Sequence, residues 1–180
     1  MDGSAEGLIE QGPQPQPQPQ QVAAEHLAPM VFEMDVEGRA IRIGVRFSNH
    51  CFTEKWDAVV HAGQPVILDG GNRARVFCPV RFELSQGLPD LVRGLPNGHV
   101  HQTPEANYVK VTAADGAEYR MFFNIKRGGH QGDGCDASLF VESAYPPDGE
   151  GLAIENMTKV RFRVLVSKTL RGQKVKRFSR

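Results

Sequence analysis

The sequence predicts an α+β fold that consists mostly of antiparallel β-sheet, with an N-terminal hairpin, one short helix and a four-stranded meander. Apolar and polar residues alternate over several segments, which is the period of a half-buried β-strand. Glycine-containing turns separate most of these segments, and short connections favour antiparallel neighbours. Only one helix is predicted, in the segment that follows Ser85.

The N-terminal hairpin is predicted over residues 32–47. Glu37-Gly38 forms the turn, because glycine tolerates the left-handed conformation that tight hairpins require. The alternating apolar residues on either side of the turn are Phe32, Met34, Val36, Ile41, Ile43, Val45 and Phe47. A short strand is expected within residues 59–68, before the turn at 69–72. Another is expected within 75–82, where Pro79 restricts it to an edge or a bulge.

One helix is predicted after Ser85, which is a suitable N-cap residue. Leu88, Leu91, Val92 and Leu95 recur at helical spacing, and a Pro-Asn-Gly sequence then ends the segment. Four strands are predicted to follow, over residues 107–112, 118–126, 139–145 and 159–168. A glycine-rich loop at 128–134 connects the second strand to the third, and we expect all four to form one antiparallel meander.

The two faces of the predicted meander differ in chemistry, because side chains alternate across a strand. One face is apolar and could be covered by the helix. The other face is basic and carries Tyr108, Lys110, Arg120, Asn124, Lys126, Glu142, Arg161 and Arg163.

Composition indicates one folded domain with two tails. Residues 1–30 contain a Pro-Gln tract and are predicted to be a disordered Pro/Gln-rich tail. Residues 31–168 form a single β-rich domain of ordinary size, and residues 169–180 form a flexible basic tail. Three widely spaced cysteines argue against a disulfide framework. No signal peptide and no membrane-spanning run is evident, so we expect a cytoplasmic protein without a membrane partner.

Charge is distributed unevenly along a chain whose 21 basic and 21 acidic residues balance. Residues 159–180 carry nine Lys or Arg and no acid, whereas the first 40 residues carry seven acids and one base. Local positive charge attracts polyanions, so we expect RNA or an acidic protein as the partner. The residues predicted to bind nucleic acid are Lys110, Lys126, Arg163, Arg171, Lys174, Lys176 and Arg177.

Glu142 is the only acid on the predicted basic face. Metal-free RNA cleavage needs a base, an acid and cations for the developing phosphorane charge. Glu142 could supply the base, and Tyr145 or a loop histidine such as His130 the acid. The cations could be Arg120, Arg161 and Arg163. The alternative is a cross-strand salt bridge on a solvated face.

The histidines and cysteines do not suggest a metal centre or a cofactor. The spacings of His50-Cys51, Cys78, His99, His101 and Cys135 match no structural zinc site. We therefore predict no cofactor, and we interpret Cys51 and Cys78 as buried hydrophobic residues.

The predicted order of elements in residues 85–168 resembles the metal-independent ribonuclease superfamily of RelE-type toxins, colicin D-like nucleases and EndoU-like nucleases. The resemblance implies a toxin-like ribonuclease whose sheet carries Arg120, Glu142, Tyr145, Arg161 and Arg163. The chain departs from that superfamily in its hairpin-rich residues 31–82. Segments 45–53, 107–111 and 141–145 also resemble uncharacterised proteobacterial proteins, which implies a bacterial origin.

Two classes of function remain open from the sequence. The first is an RNA-acting enzyme that uses the basic face. The second is a non-catalytic β-rich domain that binds nucleic acid or protein, in which the acidic N-terminus competes with polyanions for the basic end.

Overall fold

The computed structural model describes residues 23–102, 107–112, 118–129, 132–146 and 158–173. Within these ranges the chain is α+β with mostly antiparallel sheets, as predicted. The elements in chain order are β1 (Met30–Val36), β2 (Arg39–Phe47), β3 (Thr53–Lys55), β4 (Ile67–Leu68), β5 (Ala74–Phe77), α1 (Pro79–Ser85), α2 (Leu88–Gly94), β6 (His99–Gln102), β7 (Asn107–Thr112), β8 (Glu118–Arg127), β9 (Ala137–Tyr145), β10 (Thr158–Arg161) and α3 (Phe162–Leu170).

The strands form two sheets. The larger sheet has seven strands in the order β1-β2-β9-β8-β7-β6-β10, and the smaller has three in the order β3-β5-β4. The pairing of β2 with β9 is parallel, and every other pairing in the described residues is antiparallel.

The N-terminal hairpin is confirmed. β1 and β2 pair in continuous register from Met30 opposite Val45 to Val36 opposite Arg39. Glu37 and Gly38 have φ angles of 56° and 79°, which is the pair of left-handed residues that a two-residue type I′ turn requires.

The predicted meander is right for three strands and wrong for the fourth. β7, β8 and β9 pair consecutively and antiparallel. β10 does not join β9 but pairs with β6 at the far edge of the sheet. β6 was not predicted as a strand, and its buried Val100 lies opposite Val160. The position beside β9 is taken by β2, through a non-local parallel pairing that turn lengths do not reveal.

The predicted strand at 159–168 is a strand only as far as Arg161 and then becomes helix α3. Phe162, Leu165 and Val166 are buried at helical spacing, whereas Val164 is 42% exposed. Apolar residues in this segment also alternate with period two, which is why a strand was expected. The segment is helical because the helix buries Phe162, Leu165 and Val166 together in the core.

Two boundaries before the meander also differ from prediction. The strand expected at 75–82 ends at Phe77, and Pro79 begins α1 because proline is well suited to the first helical turn. Ser85 is therefore not an N-cap. It is the buried last residue of α1, where its hydroxyl donates to the Phe82 carbonyl at 2.6 Å.

The hydrophobic core lies on one face of the seven-stranded sheet. β8 and β9 contribute Met121, Phe123, Leu139 and Val141, all fully buried. The helices and the N-terminal segment cover this face with Leu27, Leu88, Val92, Leu95, Phe162, Leu165 and Val166. The opposite face, which carries Phe122, Asn124, Lys126 and Phe140, is called the outer face below.

The segments expected to be tails lie partly outside the described residues, namely 1–22 and 174–180. Residues 25–27 form a short 3-10 helix, and Leu27 is buried in the core. At the other end, Arg171 forms an ion pair with Glu37 in the turn of the hairpin. None of the described helices is both long and apolar enough to cross a membrane.

Candidate functional site

Glu142 lies on the outer face of the sheet, at a β-bulge in β9. Phe122 pairs with Ser143 and Phe123 pairs with Val141, so Glu142 is the extra residue between them. Bulges of this kind redirect side chains and are frequent beside active sites. Asn124 donates from Nδ2 to Oε1 of Glu142 at 2.6 Å, which fixes the orientation of the carboxylate.

A short 3-10 helix at Asn49–Cys51 holds His50 next to the bulge. It begins after Ser48, whose hydroxyl accepts from the His50 backbone N–H at 3.2 Å. The backbone N–H of Ser48 donates to the Val141 carbonyl at 2.9 Å and prolongs the parallel ladder to the residue before Glu142. The Asn49 side chain donates from Nδ2 to the Leu68 carbonyl at 3.0 Å, which connects the 3-10 helix to β4.

Asp69 follows β4 and holds His50 and Arg73 in position through hydrogen bonds. Its carboxylate is 2% exposed and accepts four hydrogen bonds, from the backbone N–H groups of Gly71 and Arg73, from Arg73 Nε and from His50 Nε2. The backbone N–H of Arg73 and the His50 side chain are the main reasons that the pKa of Asp69 lies far below its usual range. Asp69 is therefore a fixed negative charge at neutral pH.

His50 forms a His-Asp pair with Asp69, with Nε2 and Oδ2 2.9 Å apart. Burial lowers the pKa of His50 below 6.5, the hydrogen bond to Asp69 opposes this effect, and the positive charge of Arg75 adds to it. Imidazole is thus the predominant form at pH 7. With Nε2–H donated to Asp69, the proton-exchanging atom is Nδ1.

His50, Asp69 and Glu142 line a single cleft of about 390 Å³ between β9 and the loop after β4. The other lining residues are Ser48, Gly70, Gly71, Arg73, Phe140 and Ser143. The cleft therefore combines a titratable imidazole with its carboxylate partner, a second carboxylate, a guanidinium, and an aromatic ring that is 42% exposed. These groups can accept and donate protons at a bound substrate without a metal ion.

One of the predicted site residues lines this cleft, and three others lie on the same two strands, β8 and β9. Glu142 lines it. Tyr145, three residues further along β9, stacks on Phe122 with ring centroids 5.3 Å apart. Arg120 is opposite Tyr145 in the β8–β9 register and is buried. Lys126 is exposed on the outer face opposite Ser138.

The remaining predicted residues are not gathered at Glu142. Arg161 is in β10, and three strands separate it from β9. Arg163 is not on the sheet at all. It belongs to α3 and donates to the carbonyls of Pro96 and Asp35 at 3.0 and 3.1 Å. Arg171 pairs with Glu37. The side chains of Tyr108 and Lys110, and residues His130, Lys174, Lys176 and Arg177, lie outside the described residues.

Sequence reasoning missed the partnership of His50 with Asp69. In the sequence, His50 is next to Cys51 and Asp69 is in a turn, and neither position indicates the other. The two are 19 residues apart on segments without regular spacing, so no periodic signal connects them. A polar turn after a short apolar strand was the available indication.

Metal and thiol chemistry find no support in the described residues. No group of three or more His, Cys, Asp or Glu side chains there could hold a metal ion. Cys51 is fully buried, and burial raises its pKa to about 12. Cys51 is therefore a hydrophobic core residue, as its sequence context suggested, and it does not act as a nucleophile at neutral pH.

Comparison with known proteins supports a bacterial protein family and gives no support to the resemblance to metal-independent ribonucleases. No curated protein and no solved structure matches the chain. The model of the YjaZ family matches residues 16–170, which include all the helices and strands given above for the described residues. The chain therefore belongs to the YjaZ family.

Proposed function

We propose that this protein cleaves RNA without a metal ion, in the cleft between β9 and the loop after β4. The observation that carries the proposal is that the His50–Asp69 pair and Glu142 line the same cleft. The positive charge that the cleft offers a polyanionic substrate is the guanidinium of Arg73.

Glu142 is the proposed base. Its carboxylate removes the proton of the 2′-hydroxyl while Asn124 holds the other carboxylate oxygen, Oε1. The 2′-oxygen then attacks phosphorus, the bond from phosphorus to the 5′-oxygen breaks, and a 2′,3′-cyclic phosphate forms. Charge that develops on the phosphoryl oxygens is stabilised by Arg73, which lines the cleft.

His50 is the proposed acid and donates the proton on Nδ1 to the departing 5′-oxygen. Asp69 holds Nε2 and stabilises the imidazolium. Because burial lowers the pKa of His50 from its ordinary value, the protonated acid is populated only in acidic solution. Activity is therefore expected to be highest in mildly acidic solution.

Phe140 is the proposed contact for a base of the RNA. Its ring is exposed at the rim of the cleft, and exposed aromatic rings stack on unpaired bases with little sequence preference. We therefore expect single-stranded RNA to be preferred over duplex.

The test is incubation of the purified chain with end-labelled single-stranded RNA in EDTA, with both cleavage and gel shift recorded. Cleavage in EDTA with a 2′,3′-cyclic phosphate product is the expected result. Glu142→Gln and His50→Asn should each reduce the rate by at least about 100-fold. Glu33→Gln is the matched control, since Glu33 is an exposed acid in β1 and its change should leave the rate unaltered.

Two results would contradict the proposal. Full activity in Glu142→Gln or His50→Asn would show that the cleft is not the site. A salt-sensitive shift without cleavage in any buffer would instead indicate the non-catalytic binding domain considered from the sequence.

A further inference from the structure

Two arginine side chains converge on one backbone oxygen close to the cleft. Arg75 donates from Nη2 to the Thr53 carbonyl at 2.9 Å and from Nε to the Thr53 hydroxyl at 2.6 Å. Arg81, from α1, donates from Nη1 to the same carbonyl at 3.0 Å. The ends of two guanidinium groups are therefore held side by side at a neutral acceptor.

No carboxylate among the described residues forms a salt bridge with either arginine. The two acids whose charge reaches Arg75 are Asp69 and Glu54. Asp69 already binds Arg73 and His50, and Glu54 lies 3.5 Å from His61. Lys55 is opposite Arg75 in the β3–β5 register, so the small sheet carries a second positive charge in addition to Arg81 of α1.

Holding these charges together has an energetic cost. Burial lowers the pKa of Arg75, and the charge of Arg81 lowers it further. Like charges at close range destabilise one another, and an anion between them would remove the repulsion. Planar guanidinium groups in pairs are well suited to a tetrahedral phosphate.

Tyr145 connects this cluster with β9. The Arg81 guanidinium carbon lies 5.0 Å from the centre of the Tyr145 ring, a cation–π geometry that fixes the arginine. Tyr145 follows Ser143, which lines the cleft, by two residues of the same strand. Arg75 is also near enough to influence the pKa of His50.

We propose that Arg75 and Arg81 form a phosphate-binding subsite, which holds a backbone phosphate next to the one that reacts in the cleft. This inference rests on the proposed function for the identity of the ligand as RNA. The site itself rests on the arginine geometry alone, and it binds phosphate whether or not the chain cleaves RNA.

The direct test uses the full chain and inorganic phosphate, with chloride at matched ionic strength as the reference. Arginine Nε–H signals in two-dimensional NMR report binding at each side chain. We expect the signals of Arg75 and Arg81 to shift with millimolar phosphate. Arg81→Gln should weaken phosphate binding about tenfold or more, because a hydrogen bond to a charged group is lost.

Matched controls separate this site from general attraction of anions. Arg93→Gln removes an equal charge from the surface of α2, where Arg93 pairs with Asp90 at 2.8 Å, and phosphate binding should not change. Arg81→Gln is preferred to Arg75→Gln because Arg75 makes two bonds to buried Thr53. Thermal unfolding of each variant identifies any loss of folding.

The outcomes distinguish the two proposals. Phosphate binding that is lost in Arg81→Gln, in a chain that does not cleave RNA, would support the subsite and overturn the proposed function. RNA cleavage with Arg75 and Arg81 signals unmoved by phosphate would overturn the subsite alone. Equal weakening by Arg81→Gln and Arg93→Gln would also overturn it, since the effect would then be one of net charge.

Discussion

Replacing Leu165 by alanine should destabilise the protein strongly, whereas replacing its neighbour Val164 should have little effect. The two residues are adjacent in α3, with Leu165 4% exposed and Val164 42% exposed. A strand through this segment would reverse the pattern, because Val164 would share a face with buried Phe162 and Val166. The pair of variants therefore tests the helix that the sequence did not predict.

The magnitude follows from what each side chain contacts. Leu165 belongs to the hydrophobic core, and truncation of a buried leucine to alanine leaves a cavity and costs about 2–5 kcal/mol. Val164 loses little packing, and alanine has a higher helix propensity than valine by up to ~0.6 kcal/mol. The expected change for Val164→Ala is thus within about 0.5 kcal/mol of zero.

Urea unfolding, followed by far-ultraviolet circular dichroism, measures both free energies. The midpoint of Leu165→Ala should fall by roughly 1–2.5 M at an unchanged slope, if the slope is about 2 kcal/mol/M. A midpoint for Val164→Ala that falls further than that of Leu165→Ala would refute the helix and restore the strand.

Three other predictions concern the site and the buried titratable groups. The free energy of unfolding should fall as pH is lowered from about 7.5 to about 5. Burial lowers the pKa of His50 in the folded chain, so the unfolded chain takes up the proton first. Urea midpoints at the two pH values measure this change, and a higher midpoint at pH 5 would contradict the prediction. Cys51, buried with a pKa of about 12, should resist alkylation at about pH 8 until the chain unfolds, as mass spectrometry with and without denaturant can show. Asn124→Ala should lower the RNA cleavage rate about tenfold by releasing Glu142 Oε1, with single-turnover kinetics as the measurement and an unchanged rate as the contrary result.

The parts of the fold that could be predicted depend on local signals. The hairpin of β1 and β2 has strict alternation on both sides of Glu37-Gly38, and both turn residues adopt the conformation that this sequence favours. β7, β8 and β9 could be predicted because their apolar residues alternate in the same way. Their order in the sheet is set by short connections between adjacent strands.

The parts that could not be predicted depend on pairings between distant segments. The parallel contact of β2 with β9 joins Ile43 to Ala137, and no turn or spacing marks it. The segment after Arg161 satisfies both periods, since Phe162, Val164 and Val166 alternate while Phe162, Leu165 and Val166 follow a helix. The helix is favoured over the strand only because it buries Phe162, Leu165 and Val166 against the apolar face of the sheet.

The candidate site contains one residue that local signals indicate and others whose positions depend on pairings between distant segments. Glu142 could be identified from the sequence because it is an isolated acid in a strand, but its predicted neighbours Arg161 and Arg163 lie on other elements. Its actual neighbours, His50 and Asp69, come from turns that the parallel β2–β9 contact brings to β9. The cleft depends on the parallel pairing through Ser48. Its backbone N–H donates to the Val141 carbonyl of β9, and its hydroxyl accepts from the backbone N–H of His50.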